Sequence, residues 1–173
     1  MSSQDTLHQI YADIDQRVFA IVAAEPSWPC HKGCDGCCRQ LAQPPQMTAA
    51  EWAAVQHGLA QLETPVQGEI AERIWALSHA GAGPVTCPLL DEVTGLCRVY
   101  AYRPAACRMY GFYVSRDGNQ WCDMIQSLHE AGMGDGVVLG NEQAIQREFN
   151  ERFGAPQSIV TWFKKAHVDG DLH

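Results

Sequence analysis

Apolar residues near the start of the chain recur at intervals of three and four. This spacing places them on one face of a helix and predicts an amphipathic helix over residues 5–24. Two prolines follow closely, at Pro26 and Pro29, and are expected to end the helix there. The predicted inner face consists of Leu7, Ile10, Tyr11, Ile14, Val18, Ile21 and Val22.

Capping signals predict helices in the middle of the chain. The run Thr48-Ala-Ala-Glu51 has the form of a capping box and predicts a helix to about Leu62. Thr64 as N-cap and Pro65 at the first helical position predict another.

Similar signals predict two more elements near the end of the chain. Asn141 is expected to cap a helix that carries Ile145, Phe149 and Phe153. A last element contains Ile159, Trp162 and Phe163.

Two segments differ from the predicted helices in composition and pattern. Glycine and cysteine dominate residues 30–38, which therefore predict a loop. Short apolar runs broken by turns occupy residues 85–122, with hairpin connections expected at 91–95 and 116–119. Residues 103–108 predict a short helix with Pro104 in its first turn. The expected fold is mainly α, with short β-hairpins and irregular cysteine-bearing segments.

Length and charge narrow the class of protein. A chain of 173 residues fits a single compact domain, expected over residues 1–173. The N-terminus has no basic segment before an apolar run, and no stretch approaches the ~20 apolar residues of a membrane span. We therefore expect a cytoplasmic protein that does not bind membranes. The net charge of −8 disfavours nucleic acid as a partner.

The eight cysteines carry the candidate chemistry. Spacings of two or three residues let one loop direct several thiolates at a common metal, and Gly33 and Gly36 allow close backbone approach. Disulfides require an oxidising compartment, which the expected location does not provide. We predict metal-site segments at 28–40 and 85–122, with metal organising the domain. The predicted ligands are Cys30, Cys34, Cys37, Cys38, Cys87, Cys97, Cys107 and Cys122.

Adjacent cysteines suggest how many centres there are. Neighbouring side chains in an extended segment point in opposite directions, so Cys37 and Cys38 would serve two metal ions or two corners of one cluster. Eight thiols then suggest two centres of four. Spacing alone does not assign each cysteine to a centre.

Zinc and iron–sulfur clusters both accept four cysteines. Aromatic residues near the cysteines and the dipeptide Cys87-Pro88 favour iron–sulfur over zinc. The aromatic residues in question are Trp28, Tyr100, Tyr102, Tyr110, Phe112, Tyr113 and Trp121. The surrounding arginines, among them Arg103 and Arg108, are expected to pair with carboxylates or to stabilise thiolate charge.

The cysteine pattern resembles the YkgJ-like cysteine-cluster family over about residues 30–110. The resemblance lies in the run from Cys30 to Cys38, in Cys87-Pro-Leu-Leu-Asp91, in Gly95-Leu-Cys97-Arg-Val-Tyr100 and in Arg103-Pro-Ala-Ala-Cys107-Arg. It implies a zinc- or iron-chelating domain that binds metal through these cysteines. Related flagellin lysine methylases carry a similar cluster, which leaves a redox or methyl-transfer role open.

Three functions follow as hypotheses. The first is a metal-binding protein whose iron–sulfur or zinc centres have no defined reaction. The alternative is an iron–sulfur enzyme with redox or S-adenosylmethionine-type methyl-transfer chemistry. Cys30, Cys34 and Cys37 have the spacing of radical S-adenosylmethionine enzymes. Those enzymes place this motif after the first strand of a barrel, whereas predicted helices flank it here, so we interpret the match as coincidental. The third is metal storage or delivery to a protein partner.

Overall fold

The chain is mainly helical, as the sequence predicts. A computed structural model describes residues 2–81, 83–115, 122–132 and 137–170. Its helices are α1 (Ser3–Ala24), α2 (Gly36–Arg39), α3 (Ala49–Leu59), α4 (Thr64–Leu77), α5 (Ala105–Met109), α6 (Asp123–Glu130), α7 (Glu142–Phe153) and α8 (Ile159–Gly170). None of the helices within these ranges has the length and apolarity that a membrane span requires.

Local signals account for where most helices begin. Thr48 caps α3 through a reciprocal capping box with Glu51, as predicted. Asn141 caps α7 by accepting a hydrogen bond from the Ala144 N–H at 3.2 Å. The predicted face of α1 is buried except at Val18, which is partly buried, and Val22, which is exposed. Helix α6 was not predicted.

Short strand pairs connect the helices. Strands β2 (Leu90–Asp91) and β3 (Leu96–Cys97) form the predicted hairpin, with Leu90 opposite Cys97. The second predicted hairpin, at 116–119, lies outside the described residues. Two further pairs join distant parts of the chain. They are antiparallel β1 (Gln46–Met47) with β6 (Gln157–Ser158), and parallel β4 (Tyr113–Val114) with β5 (Gly140–Asn141).

Two clusters of buried apolar side chains hold these elements together. The first core lies among α1, α5, α6 and α7 and includes Ile14, Trp28 and Ile125. The second core lies among α3, α4, α8 and the β2–β3 hairpin and includes Met47, Val55 and Ile74. Cysteines belong to both, because Cys30 and Cys122 pack on the first core and Cys38, Cys87 and Cys97 on the second.

A buried carboxylate links the two cores. Glu51 is 4% exposed and accepts hydrogen bonds from the Thr48 N–H at 2.7 Å and the Ala105 N–H at 2.8 Å. The hydroxyls of Thr48 and Tyr11 donate to the same carboxylate. Glu51 thereby attaches the start of α3 to the start of α5, the helix that carries Cys107.

Replacing Glu51 tests this link. Glu51→Ala leaves the buried Ala105 N–H and Tyr11 hydroxyl without their acceptor, at a cost of about 1–3 kcal/mol for each group. We expect the free energy of unfolding in urea to fall by about 3 kcal/mol. The control is Glu148→Ala, which removes an exposed ion pair with Arg152 and is expected to cost under about 1 kcal/mol. Equal losses in the two variants would contradict the link.

Candidate metal centre

The first cysteine segment is anchored to the first core. The Trp28 indole N–H donates to the Gly111 carbonyl oxygen at 3.1 Å, and the Cys34 N–H donates to the His31 carbonyl oxygen at 3.0 Å. The predicted loop over residues 30–38 is wrong at its end, because Gly36–Arg39 form the short helix α2. Cys37 and Cys38 therefore do not lie on an extended strand, and the argument that they point in opposite directions does not apply.

A backbone hydrogen bond brings the two cysteine segments side by side. The Cys87 N–H donates to the Cys38 carbonyl oxygen at 2.7 Å. Leu41 and Val85 form a β-bridge just beyond it. These pairings place the start of the second segment against α2, although about fifty residues separate them along the chain.

The hairpin that follows Cys87 turns amide groups towards sulfur. The Leu89 N–H hydrogen-bonds the Cys87 sulfur, and the Val99 N–H hydrogen-bonds the Cys97 sulfur. The Arg73 guanidinium supports the hairpin by donating to the Leu90 carbonyl at 2.6 Å and the Cys87 carbonyl at 3.1 Å. Amide hydrogen bonds of this kind stabilise thiolate ligands and tune the potential of iron–sulfur centres.

The last two cysteines come from helices of the first core. Cys107 lies in the middle of α5, and Cys122 occupies the N-cap position of α6. Each therefore enters the site from a different element. Only folding brings them to the first segment.

Six of the eight cysteines line one cavity. Its volume is about 550 Å³, and its wall includes Arg103, Tyr100 and Tyr110. Among the described residues, no three His, Cys, Asp or Glu side chains are close enough to hold one metal ion as they stand. Metal as the organiser of the domain thus stays a prediction. The lining cysteines are Cys34, Cys37, Cys38, Cys87, Cys97 and Cys107.

Electrostatic interactions link the cysteines in two overlapping groups, and Cys37 acts on members of both. Burial raises the pKa of Cys30 to about 12, and negative charge on Cys122, Cys34 and Cys37 adds to the increase. Loss of hydration among neighbouring atoms also raises the pKa of Cys107, followed by charge on Cys87 and Cys97, although this residue is exposed where it faces the cavity. We call Cys30, Cys34, Cys37 and Cys122 the first thiol set, and Cys38, Cys87, Cys97 and Cys107 the second thiol set.

Cys37 and Cys38 lie where the two sets meet. A hydrogen bond from the Cys38 thiol, together with backbone N–H groups, lowers the pKa of Cys37 to about 7 despite its burial. The same hydrogen bond, followed by burial, raises the pKa of Cys38. Cys37 also interacts with Cys87, Cys97 and Cys107. The adjacent pair is thus the junction of the sets.

Most of the thiols are kept neutral by their surroundings. Burial is the main cause of the raised pKa at Cys87, which reaches about 12, and at Cys97. Tyr110 has its pKa raised to about 12 by burial and then by charge on Cys122, Cys37 and Cys30. Since a metal ligand must be the thiolate, binding here must displace protons.

Gly111, which no sequence motif predicted to be part of the site, leaves space for the Cys30 sulfur. Gly111 has φ +78°, and a Cβ at this position would lie 2.6 Å from the Cys30 sulfur. Only glycine combines this left-handed backbone with such a close approach. Sequence reasoning singled out the aromatic neighbours Tyr110 and Phe112 and missed Gly111 between them.

Other residues near the cysteines have structural roles. The His31 Nδ1 atom lies 3.0 Å from the Lys32 carbonyl oxygen. The Asp91 carboxylate accepts from the N–H groups of Val93 and Thr94 and closes the hairpin turn. Arg108 pairs with Asp15 at 2.7 Å, so this arginine has the carboxylate partner that the sequence suggested.

Comparison with known proteins identifies the family. The family model described as "Putative zinc- or iron-chelating domain", with the motif name CxxCxxCC, matches residues 29–127. This span is more than half of the chain and contains all eight cysteines. The chain belongs to this family. Neither a search of curated proteins nor a search of solved structures found a match.

The family assignment confirms the sequence resemblance and extends it. The matched span includes Cys122, which lies beyond the segment on which the resemblance rested. One departure is visible, because three residues separate Cys30 from Cys34 where the motif name has two. The family supports chelation of zinc or iron and does not distinguish between them.

Gly111 offers a test of the geometry around Cys30. Gly111→Ala would press a methyl group against the Cys30 sulfur, so we expect the purified protein to contain less metal per chain. Gly154→Ala is the matched control, because Gly154 also has a positive φ, of +79°, with no atom within 4 Å of its added Cβ. The test is to measure the metal content per chain of both purified variants by elemental analysis. Equal metal contents would show that the contact with Cys30 is unimportant.

Proposed function

We propose that the eight cysteines bind metal in two neighbouring all-thiolate centres, one in each thiol set. The observation that carries this proposal is the cavity lined by six thiols from both segments, and the other two, Cys30 and Cys122, pack on the first core. All eight cysteines are free, so all are available as ligands. The donor set consists of sulfur alone, which suits zinc and iron–sulfur clusters rather than calcium or magnesium.

The shape of the site favours iron–sulfur clusters over single zinc ions. Four sulfurs at about 2.3 Å from one zinc ion lie only about 3.8 Å from one another. Here no three of the described thiols are close enough to share a single ion, and six of them line a cavity of about 550 Å³. A polynuclear cluster fills more of such a space, and the amide hydrogen bonds to Cys87 and Cys97 suit its sulfur ligands.

The proposed location is the cytoplasm. Free thiols in this number persist in a reducing compartment, where disulfides are rare. The same compartment would protect iron–sulfur centres from oxidation by keeping the cysteine ligands reduced.

Anaerobic purification tests the proposed centres. We expect a coloured protein that contains iron and acid-labile sulfide in similar amounts, because both would come from iron–sulfur clusters. The colour is measured by an absorption spectrum, and the iron, zinc and sulfide contents are measured by elemental analysis. A colourless protein with stoichiometric zinc would replace the iron–sulfur assignment with zinc, and a metal-free protein would reject metal binding.

Two cysteine variants, each the control for the other, test the division into sets. Cys34→Ser should lose metal from the first thiol set, and Cys97→Ser from the second. Each is expected to retain about half of the bound metal. Complete loss in both variants would indicate one shared centre and contradict the two-centre proposal.

A second candidate function is an enzyme that uses the iron–sulfur centre on a small molecule. The cavity favours it because the wall continues from the thiols to Pro44, Pro45, Ile145 and Phe149, beyond what the metal ligands need. Apolar cavities with a few polar groups are where small molecules bind.

This enzymatic role has its own measurement. The protein purified anaerobically and reduced with dithionite should give an EPR signal that shifts when S-adenosylmethionine is added, because the cofactor would occupy the space beside the cluster. The control is S-adenosylhomocysteine, which lacks the sulfonium charge. A spectrum unchanged by either compound would reject S-adenosylmethionine chemistry.

A further inference from the structure

We propose that Arg103 is the counter-ion shared by the two thiol sets and thereby a positioning residue for both metal centres. This inference rests on the proposed metal-binding function. In this inference, the positive charge of Arg103 offsets part of the negative charge of both metal–thiolate centres. Four thiolates around one divalent metal carry a net charge of −2, so two such centres side by side repel each other unless a cation lies between them.

The backbone around Arg103 is fixed independently of its side chain. Pro104 follows it and restricts Arg103 to an extended conformation, with φ −61° and ψ 143°. The Arg108 Nε atom donates to the Arg103 carbonyl oxygen at 3.0 Å. Arg108 is itself 9% exposed and paired with Asp15. The side chain of Arg103 therefore starts from a rigid point at the edge of the cavity.

The side chain of Arg103 lies against an aromatic ring in the cavity wall. Its guanidinium carbon is 4.0 Å from the centroid of the Tyr100 ring, within the range of a cation–π contact. Both residues line the cavity with the six thiols. Stacking leaves the N–H groups at the edge of the guanidinium free to point at neighbouring acceptors.

Arg103 has no conventional partner for its charge. Its Nε atom is buried and has no hydrogen-bond acceptor in the described part of the chain. No carboxylate lies within ion-pair distance of it there either. The neighbouring arginines Arg73 and Arg98 pair with Glu92 and Glu69. The Arg98 Nε atom is also buried without an acceptor in the described residues, so the missing ion pair is what distinguishes Arg103. A buried donor without an acceptor is costly, so its intended partner is something that binds later.

The cavity places Arg103 beside cysteines of both sets. Cys34 and Cys37 of the first thiol set line it, and so do all four members of the second thiol set. The carboxylates of Glu51 and Glu142 line the same cavity, but neither is within ion-pair distance of Arg103 in the described part of the chain. Arg103 therefore has the position expected of a shared counter-ion.

Replacement of Arg103 in the full-length apoprotein tests the inference with metal alone. The protein is titrated anaerobically with Co²⁺, whose thiolate charge-transfer absorption reports the number of sulfur ligands, and then competed with Zn²⁺ for affinity. We expect Arg103→Gln to weaken binding about tenfold, the scale of an outer-shell contact, with unchanged absorption per bound Co²⁺. We expect Arg103→Lys to recover most of the affinity, because it retains the charge.

Arg152→Gln is the control, since it removes an exposed cation on α7 that pairs with Glu148, and its affinity should equal that of the unaltered chain. Unchanged affinity in Arg103→Gln would overturn the inference. Lower absorption per bound Co²⁺ would do the same, because it would mean that a ligand had been displaced. If Arg103→Gln does not fold, Arg103→Lys decides, and a tenfold loss in that variant would also overturn the inference.

The unaltered chain separates this inference from the proposed function. If it binds no Co²⁺ through thiolates and also contains no iron or zinc after anaerobic purification, the metal-binding proposal fails and the inference fails with it. If it contains iron but binds no Co²⁺, the iron content of the Arg103 variants, compared with that of Arg152→Gln, decides the inference. If it binds Co²⁺ and the Arg103 variants behave like the control, only the counter-ion role is rejected.

Discussion

The full or partial burial of seven of the eight cysteines is the constraint on which the site depends. Six thiols face one cavity, whereas Cys30 and Cys122 pack on the first core, and burial raises the pKa of several thiols, including Cys30 and Cys87. A buried thiolate without a cation is unfavourable, whereas a neutral thiol is an acceptable part of a core. The same burial that completes the cores therefore makes the charged form dependent on a positive partner. Metal binding to such a site must be linked to proton release.

The framework that supports the thiols is formed by two cores joined through a small number of polar contacts. The Cys87 N–H to Cys38 carbonyl bond joins the cysteine segments directly, and Glu51 joins α3 to α5. These contacts set the separation of the thiol sets. Because six thiols line a cavity of about 550 Å³, the site has room for inorganic atoms between them.

The family model covers all eight cysteines but not the whole chain. The matched span ends at residue 127, whereas α7 and α8 lie beyond it. Those helices still contribute to the site, because Ile145 and Phe149 of α7 complete the cavity wall. The function therefore has to be argued from the site rather than from the fold or the family description.

Local rules were sufficient for much of the fold. Periodicity predicted α1, capping residues predicted α3 and α7, and a turn sequence predicted the β2–β3 hairpin. Each depends on residues that are close together along the chain, where spacing and capping act directly. Helix α2 was missed because glycine and cysteine are weak helix formers, and its four residues depend on their surroundings.

The sequence by itself determined which atoms are available for chemistry: eight cysteines in two segments, with arginines close by. Only the tertiary structure decided which thiols face one another and that Gly111 makes room for Cys30. It also decided that Arg108 has a carboxylate partner, whereas Arg103 has none among the described residues. The physical reason is that these relations join residues tens of positions apart. Sequence spacing governs neighbours along the chain, whereas contacts between distant residues follow from how the two cores pack.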